Sequence, residues 1–261
     1  MTVTNTTVST QVQVPNWQWH HWEGLSYLRC TLLQDWQHGF LTRQFFPRTP
    51  QELTKVLTPE ATTHHLHQIH GNRVVKPSEG FTEGDGIISE SSNQALWVAS
   101  ADCTPILMGD VHTKRVSAVH AGWRGTAQGI VKIAIARFLS EGSSLENLRV
   151  ALGPAISGKI YQVGKQVAAE VCSSIIEVGN NLEETLAIAQ SLNPSPLSPD
   201  LEPDRVRLNV TLINYMQLQA LGIKKQQIAI APFCTYQQPE YFFSYRRTKE
   251  KKVQWSGILQ S

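Results

Sequence analysis

The chain has 261 residues, 41% of them hydrophobic, which allows a sizeable core in one large domain or two small ones. Charged residues make up 17%, below the roughly 25% of an average soluble domain, and the net charge is only +2. Disorder driven by charge repulsion is excluded, as is a surface field for nucleic acid or membrane, so small molecules are the expected partners.

Residues 1–14 lack both the basic and the apolar region of a secretory leader, and no run of about 18 apolar residues occurs. Cysteines 30, 103, 172 and 234 are widely spaced, without a CxxC pair, which fits a reducing compartment. The expectation is a soluble cytoplasmic protein, with its oligomeric state open.

In chain order, HHLHQIHG (64–71) comes first. A strand over 64–69 puts His65 and His67 on one face and His70 at its end, beside Gly71, where side chains commonly enter a site. A polar exposed strand would look the same. Strands are predicted over 94–100, 115–121, 148–153, 227–233 and 241–246. A helix from Thr126 to Leu139 places Ile130, Ile133, Ala134 and Phe138 at helical spacing, with Thr126 as N-cap. A second runs from Lys165 to Val178, and a third from Asn209 to Leu221 ends at Gly222. Residues 193–204 hold four of the thirteen prolines and read as a surface loop, too close to the end of the chain to mark a domain boundary. The pattern is a mixed α/β protein forming a single domain over 1–261.

Cys103 lies just past the strand at 94–100, and His120 closes the strand at 115–121. With His70 they make a His/Cys/His set, and three such ligands with a fourth place for water are the pattern of catalytic zinc. Their spacing matches no finger-type motif, and a buried cysteine acting as a small hydrophobe is the bland alternative. A metal-free alternative makes Cys103 the nucleophile and His120 its base, as in a hydrolase or deamidase. In HAGWRGTAQG (120–129), Gly122 and Gly125 let the chain turn before a helix start, and Arg124 adds a bidentate anion donor. No Gly-Lys-Ser/Thr follows, so this is not a Walker loop. In FCTYQQPEYFFSYRR (233–247), Cys234, Ser244, Arg246 and Arg247 surround aromatic residues on which a flat ring could stack; a core strand pair with exposed arginines fits equally.

Taken together, HGFLTR (38–43), QIHGNRVV (68–75), EGDGII (83–88), ADCTPILMGD (101–110), VHAGWRGTAQGIV (119–131), GPAISGKIYQVG (153–164), CT (234–235) and FFSYRR (242–247) resemble the motifs of the YfiH-like family. That family is also called the polyphenol oxidase or laccase-domain family and is described as purine nucleoside phosphorylases. The resemblance spans about residues 38–257 and implies an α/β/β/α-type sandwich with mixed sheets, distantly similar to the catalytic domain of cytotoxic necrotizing toxins. It implies zinc held by His70, Cys103 and His120, with Cu2+ as an alternative occupant. It also implies phosphorolysis of adenosine, inosine, guanosine and methylthioadenosine, deamination of adenosine, and copper-dependent polyphenol oxidation.

Phosphate is expected at the Gly122–Gly125 turn with Arg124, which also counts as catalytic, aided by Arg246, and Ser244 is a further substrate-binding candidate. Asp85 and Asp102 are candidates to protonate the leaving base, on sequence proximity alone. Nine histidines with a single HxH pair cannot readily supply both an electron-entry copper site and a multinuclear one. Where the family often has Asp-Leu before its Asn-x-x-Gln-Leu helix, this chain has Asn209-Val210, so a carboxylate expected there is missing.

Overall fold

The computed structural model describes residues 16–177 and 179–261. The expectation drawn from residues 1–14 lies outside the described residues, as does Val178, but the helix predicted from Lys165 to Val178 already ends at Cys172, with turns following it.

Two six-stranded sheets dominate, with strands numbered in chain order. The first runs β1 (Trp17–Trp22), β2 (Leu25–Cys30), β3 (His38–Leu41), β15 (Gln254–Gln260), β7 (Gln94–Ser100), β4 (Thr62–His64), antiparallel except where β4 joins β7. The second runs β14 (Ile228–Ile230), β10 (Leu148–Leu152), β8 (Thr104–Asp110), β9 (Val116–Ala121), β6 (Gly86–Ile88), β5 (Val74–Val75), with parallel pairs at both edges. A small third sheet is β11 (Gln162–Gly164), β13 (Arg205–Leu208), β12 (Leu197–Pro199).

The pleat explains how these layers stack, because alternate residues face opposite sides. From β7, Leu96 and Val98 enter the core between the two large sheets, where they meet Leu107, Val116 and Ala118. Their neighbours Ala95 and Trp97 face outward onto α1 (Pro50–Leu57), packing with Leu53 and Leu57. A full capping box starts α1: the Thr49 hydroxyl accepts from Glu52 N–H, and the Glu52 carboxylate accepts from Thr49 N–H. On the far side of the second sheet, Ile106, Met108 and Val119 pack against α3 (Ile130–Ser140) and α6 (Val210–Ala220). The result is a mixed α/β fold with mixed sheets, layered α/β/β/α. A separate cluster joins the third sheet to α4 (Lys165–Cys172) and α5 (Leu182–Ser191).

Several predicted elements differ from those observed. The helix expected over 126–139 is two helices, α2 (Trp123–Ala127) and α3, separated by Gly129 in the left-handed region at φ 73°. Thr126 is therefore not a cap: it lies buried inside α2, and its hydroxyl accepts from Asn214 Nδ2 at 2.9 Å. Residues 241–246 are not a strand. Phe242 and Phe243 are buried in a loop, and Ser244 caps a short helix, α7 (Tyr245–Thr248), by accepting from Arg247 N–H at 3.2 Å. The histidine-rich strand stops at His64, so His65 and His67 are not carried on it as expected. Asn209 serves as N-cap of α6, accepting from Leu212 N–H at 3.0 Å, so that start needs no carboxylate. Gly222 follows α6 in the left-handed conformation at φ 97°, as expected. The proline-rich loop holds only the edge strand β12, the one kind of strand that tolerates proline. Among the described residues, no helix is long and apolar enough to cross a membrane.

His38 on β3 is almost fully buried, and its Nε2 accepts from Cys30 N–H at 2.8 Å. Burial, opposed by hydrogen bonds to Trp36 and Cys30, pushes its pKa down from 6.5 to about 4. The unfolded chain takes up this proton first, so stability should be fully present above pH 6.5 and fall between pH 6.5 and 4, by on the order of 3 kcal/mol from this residue. Urea midpoints of wild type and His38→Gln across that range check it: the variant should be weaker at pH 7 and show a flatter fall. Parallel curves would show that His38 does not titrate in this window.

Candidate metal centre

Strand ends and short turns bring the three ligand candidates together. In the β8–β9 ladder Thr104 pairs with Ala121 and Pro105 with His120, so Cys103 emerges opposite Gly122. His120 shares its face with Val116 and Ala118, which places it between the two large sheets at the end of β9. His70 comes from the segment after β4 and stands in the left-handed region at φ 60°. The ligand atoms of His70, Cys103 and His120 all lie within 4.8 Å of one another, and the imidazoles of the two histidines are nearly perpendicular with centroids 4.9 Å apart. His120 is buried, Cys103 half-buried and His70 exposed, so the cluster opens on one side. Two imidazoles and a thiolate are a borderline-soft donor set that suits zinc and leaves a place for an exogenous ligand.

Gly122 is required by this crowding. A Cβ there would meet Cys103 Sγ at 3.1 Å and His70 Cδ2 at 3.3 Å, although the residue's own backbone is extended. Gly125 is also needed for close approach, since a Cβ would lie 2.5 Å from Gly71 O. The two glycines thus admit the ligand side chains and the His70 loop, and Gly125 lies inside α2 rather than in an open turn as expected from the sequence.

Asp85, just before β6, sits beneath the histidines. Its Oδ1 accepts from His70 N–H at 2.9 Å and lies 2.8 Å from His120 Nδ1; its Oδ2 accepts from Gly71 N–H at 2.8 Å and Ile69 N–H at 3.2 Å. Burial raises its pKa, but the hydrogen bonds from His120 and Gly71 prevail and hold it below the usual carboxylate range. Asp102 is likewise engaged, accepting from Thr235 Oγ1 and Arg246 N–H, both at 2.7 Å. Both carboxylates are occupied by protein donors, so neither is placed as an acid for a leaving base, contrary to their candidacy from sequence position.

Burial raises the Cys103 thiol, but the His120 charge and the hydrogen bonds from both histidines outweigh it and bring the thiol below its ordinary value. His120 moves the other way: burial lowers it, and Cys103 and Asp85 together raise it. Without metal, His120 thus favours the thiolate form of Cys103, whereas burial pushes Cys30 up to about 11 and Cys172 up to about 12. In metal-stripped protein at pH 7, iodoacetamide should alkylate Cys103 at least about tenfold faster than Cys30 or Cys172, and zinc should abolish the difference. Peptide mass spectrometry reads the order of labelling; rapid labelling of the zinc-loaded protein would instead mark a free nucleophilic cysteine.

The cluster lies at one side of a cavity of about 630 Å³ whose walls include His65, His67, Tyr245, Lys251 and Trp255. On the other side of Cys103 is a small recess bordered by Gly122, Trp123 and Tyr161. The Arg246 guanidinium lies 4.7 Å from the Tyr161 ring centroid and donates to Gln162 O at 2.7 Å. Arg124 is exposed, with its guanidinium 4.4 Å from the Trp123 ring centroid. Burial and then the Cys103 charge push Tyr161 up to about 12, while the charges of Arg246 and Arg124 pull it down, so both arginines act on the same phenol. Ser244 is buried and engaged as the α7 cap, and Arg247 donates to the carbonyls of Thr235, Tyr236 and Phe242. Neither lines the large cavity or the recess beside Cys103. A second cavity of about 510 Å³, near Ser157 and Cys234, does not include the cluster.

Sequence reasoning missed Asp85 as a partner of His120, and missed Tyr161, Tyr245 and Trp255. The one available signal was the Gly84-Asp85-Gly86 run, since tightly packed glycines on both sides of an acid mark a carboxylate held at close quarters. A Cβ at Gly84 would meet Leu66 at 2.9 Å, and one at Gly86 would meet Val74 at 2.8 Å.

Fold and site together define a mixed α/β sandwich with one His/Cys/His centre at the ends of its sheets. The family described as multi-copper polyphenol oxidoreductase laccase matches residues 48–259, and the chain belongs to it. A protein of Synechocystis sp. named purine nucleoside phosphorylase is 46% identical over 256 residues, covering 93% of this chain and 97% of that one. Another of that name, from Haemophilus influenzae, is 31% identical over 188 residues, covering 71% and 69%. Among solved structures, YlmD from Geobacillus stearothermophilus superposes with a TM-score of 0.77 at 21% identity, covering 93% of this chain and 98% of that one. The hypothetical protein YfiH from Bacillus licheniformis gives 0.75 at 22%, covering 92% and 98%.

Proposed function

We propose that this chain is a zinc-dependent purine nucleoside phosphorylase that accepts adenosine, inosine, guanosine and methylthioadenosine and also deaminates adenosine. The observation that carries the reading is the position of the His70, Cys103 and His120 cluster on a cavity large enough for a nucleoside, with Cys103 also lining a small recess beside Tyr161, the phenol on which the charges of Arg246 and Arg124 act. The name shared by the relatives from Synechocystis sp. and Haemophilus influenzae supports the same class.

In phosphorolysis a phosphate oxygen bonds to C1′ of the ribose while the bond from C1′ to the base nitrogen breaks, and the purine leaves with the proton that the hydrogen phosphate gives up. The chain must hold the base, hold the phosphate and answer the charge that develops between them. Trp255 and Tyr245 offer faces for the purine in the large cavity. Arg124 and Arg246 supply bidentate donors for the phosphate near Tyr161, whose phenol stays protonated at neutral pH. His70, Cys103 and His120 would hold the zinc, which supplies Lewis-acid polarisation of a substrate oxygen when bound.

A metal-free thiol hydrolase or deamidase is a second reading, favoured by a Cys103 thiol lowered by the neighbouring His120, which Asp85 in turn contacts at 2.8 Å. A copper-dependent polyphenol oxidase has weaker support. Among the described residues only one cluster of metal-ligand type forms, and multicopper oxidation needs two. The test is a chromatographic screen of nucleosides with and without phosphate, on protein of measured metal content. Release of free base only with both phosphate and zinc supports phosphorolysis. Turnover by metal-free protein, or oxidation of phenols without nucleoside cleavage, replaces it with one of the other two.

A further inference from the structure

We infer that Asp85 is the positioning residue of the centre, fixing both histidine ligands at once, His70 through its backbone and His120 through its ring. The inference rests on reading the cluster as a metal centre, and its basis is the number and identity of the donors. Four groups converge on one buried carboxylate, two on each oxygen: His70 N–H and His120 Nδ1 on Oδ1, Gly71 N–H and Ile69 N–H on Oδ2. Three successive backbone N–H groups folded round an anion form a nest, and this one is closed by His70 in the left-handed region at φ 60°. The exposed His70 side chain is thereby aimed from a backbone that Asp85 holds. The same oxygen that takes His70 N–H also engages His120 Nδ1, which leaves His120 Nε2 to face a metal. One side chain thus sets the distance between two ligands from separate segments.

Only a group that accepts on both oxygens can do this. Asparagine has nearly the same shape, but one oxygen becomes an NH2 donor, which would face either His70 N–H and His120 or the N–H groups of Ile69 and Gly71. Shape and acceptor count are therefore separable, and the pair Asp85→Asn and Asp85→Ala separates them.

The experiment measures zinc affinity by chelator competition for wild type and both variants, together with amide hydrogen exchange across residues 69–71 in the metal-stripped proteins. Both variants should bind zinc roughly 10–100-fold more weakly than wild type. In both, amides 69–71 should exchange at least about tenfold faster, while those of β8 and β9 keep their protection and report an intact fold. Full zinc affinity in Asp85→Asn with loss only in Asp85→Ala would make Asp85 a space-filler and overturn the inference. Unchanged zinc affinity in both would overturn it as well. If wild type itself binds no zinc, the metal reading of the cluster fails, and exchange decides alone: faster exchange at 69–71 in Asp85→Asn retains Asp85 as the clamp, and unchanged exchange removes it.

Discussion

Cys103→Ala and His120→Ala should each bind zinc at least about a hundredfold more weakly than wild type. Loss of a partner outside the ligand set costs roughly 10–100-fold in affinity, and loss of one of three ligands should cost more. The two variants should differ in stability. Cys103 is half-buried, and its removal takes one partner from His120 but leaves the contact of His120 with Asp85 in place. His120 is buried and contacts Asp85 at 2.8 Å, so its removal leaves a carboxylate oxygen short of a donor, at a cost of about 1–3 kcal/mol. Elemental analysis after gel filtration, with thermal melts in parallel, checks both parts. Full zinc retention by both variants would sink the ligand assignment.

Arg124→Ala should weaken phosphate use by roughly ten- to a hundredfold, the equivalent of a charge-assisted pair of about 1.5–3 kcal/mol. Arg124 is exposed and rests on Trp123, so its truncation should leave the fold and the zinc content as they are. Deamination consumes water and not phosphate. The variant should therefore lose phosphorolysis far more than adenosine deamination, with the loss seen as a raised KM for phosphate. Equal loss of both activities, or an unchanged dependence on phosphate, would move the anion site elsewhere, with Arg246 the next residue to replace.

That His70, Cys103 and His120 come together was legible because each stands at an apolar strand's end or beside a glycine and within a motif of the YfiH-like family, although their spacing alone matches no metal motif. The strands β7, β9 and β10 were equally plain, since buried strands read as short apolar runs. Other elements followed rules that local pattern does not carry. The aromatic run before Ser244 looked like a strand, yet its residues fill the core from a loop and its serine caps α7. β15 lies in the middle of the first sheet between β3 and β7, but its sequence, QWSGILQ, alternates too weakly to stand out. The break at Gly129 turns on one left-handed residue inside a continuous helical pattern. Asp85 could not be paired with His120 from the sequence because they are 35 residues apart and meet only through the β6–β9 pairing.

The central claim, that phosphate is the group that receives the ribose, is tested most directly by phosphorus NMR of zinc-loaded protein with inosine and inorganic phosphate. The phosphate resonance should be replaced by that of ribose 1-phosphate in step with the hypoxanthine released, and neither should change when zinc is stripped. Inosine consumed while the phosphate signal stays constant, or a protein of full zinc content that consumes no nucleoside, would contradict it.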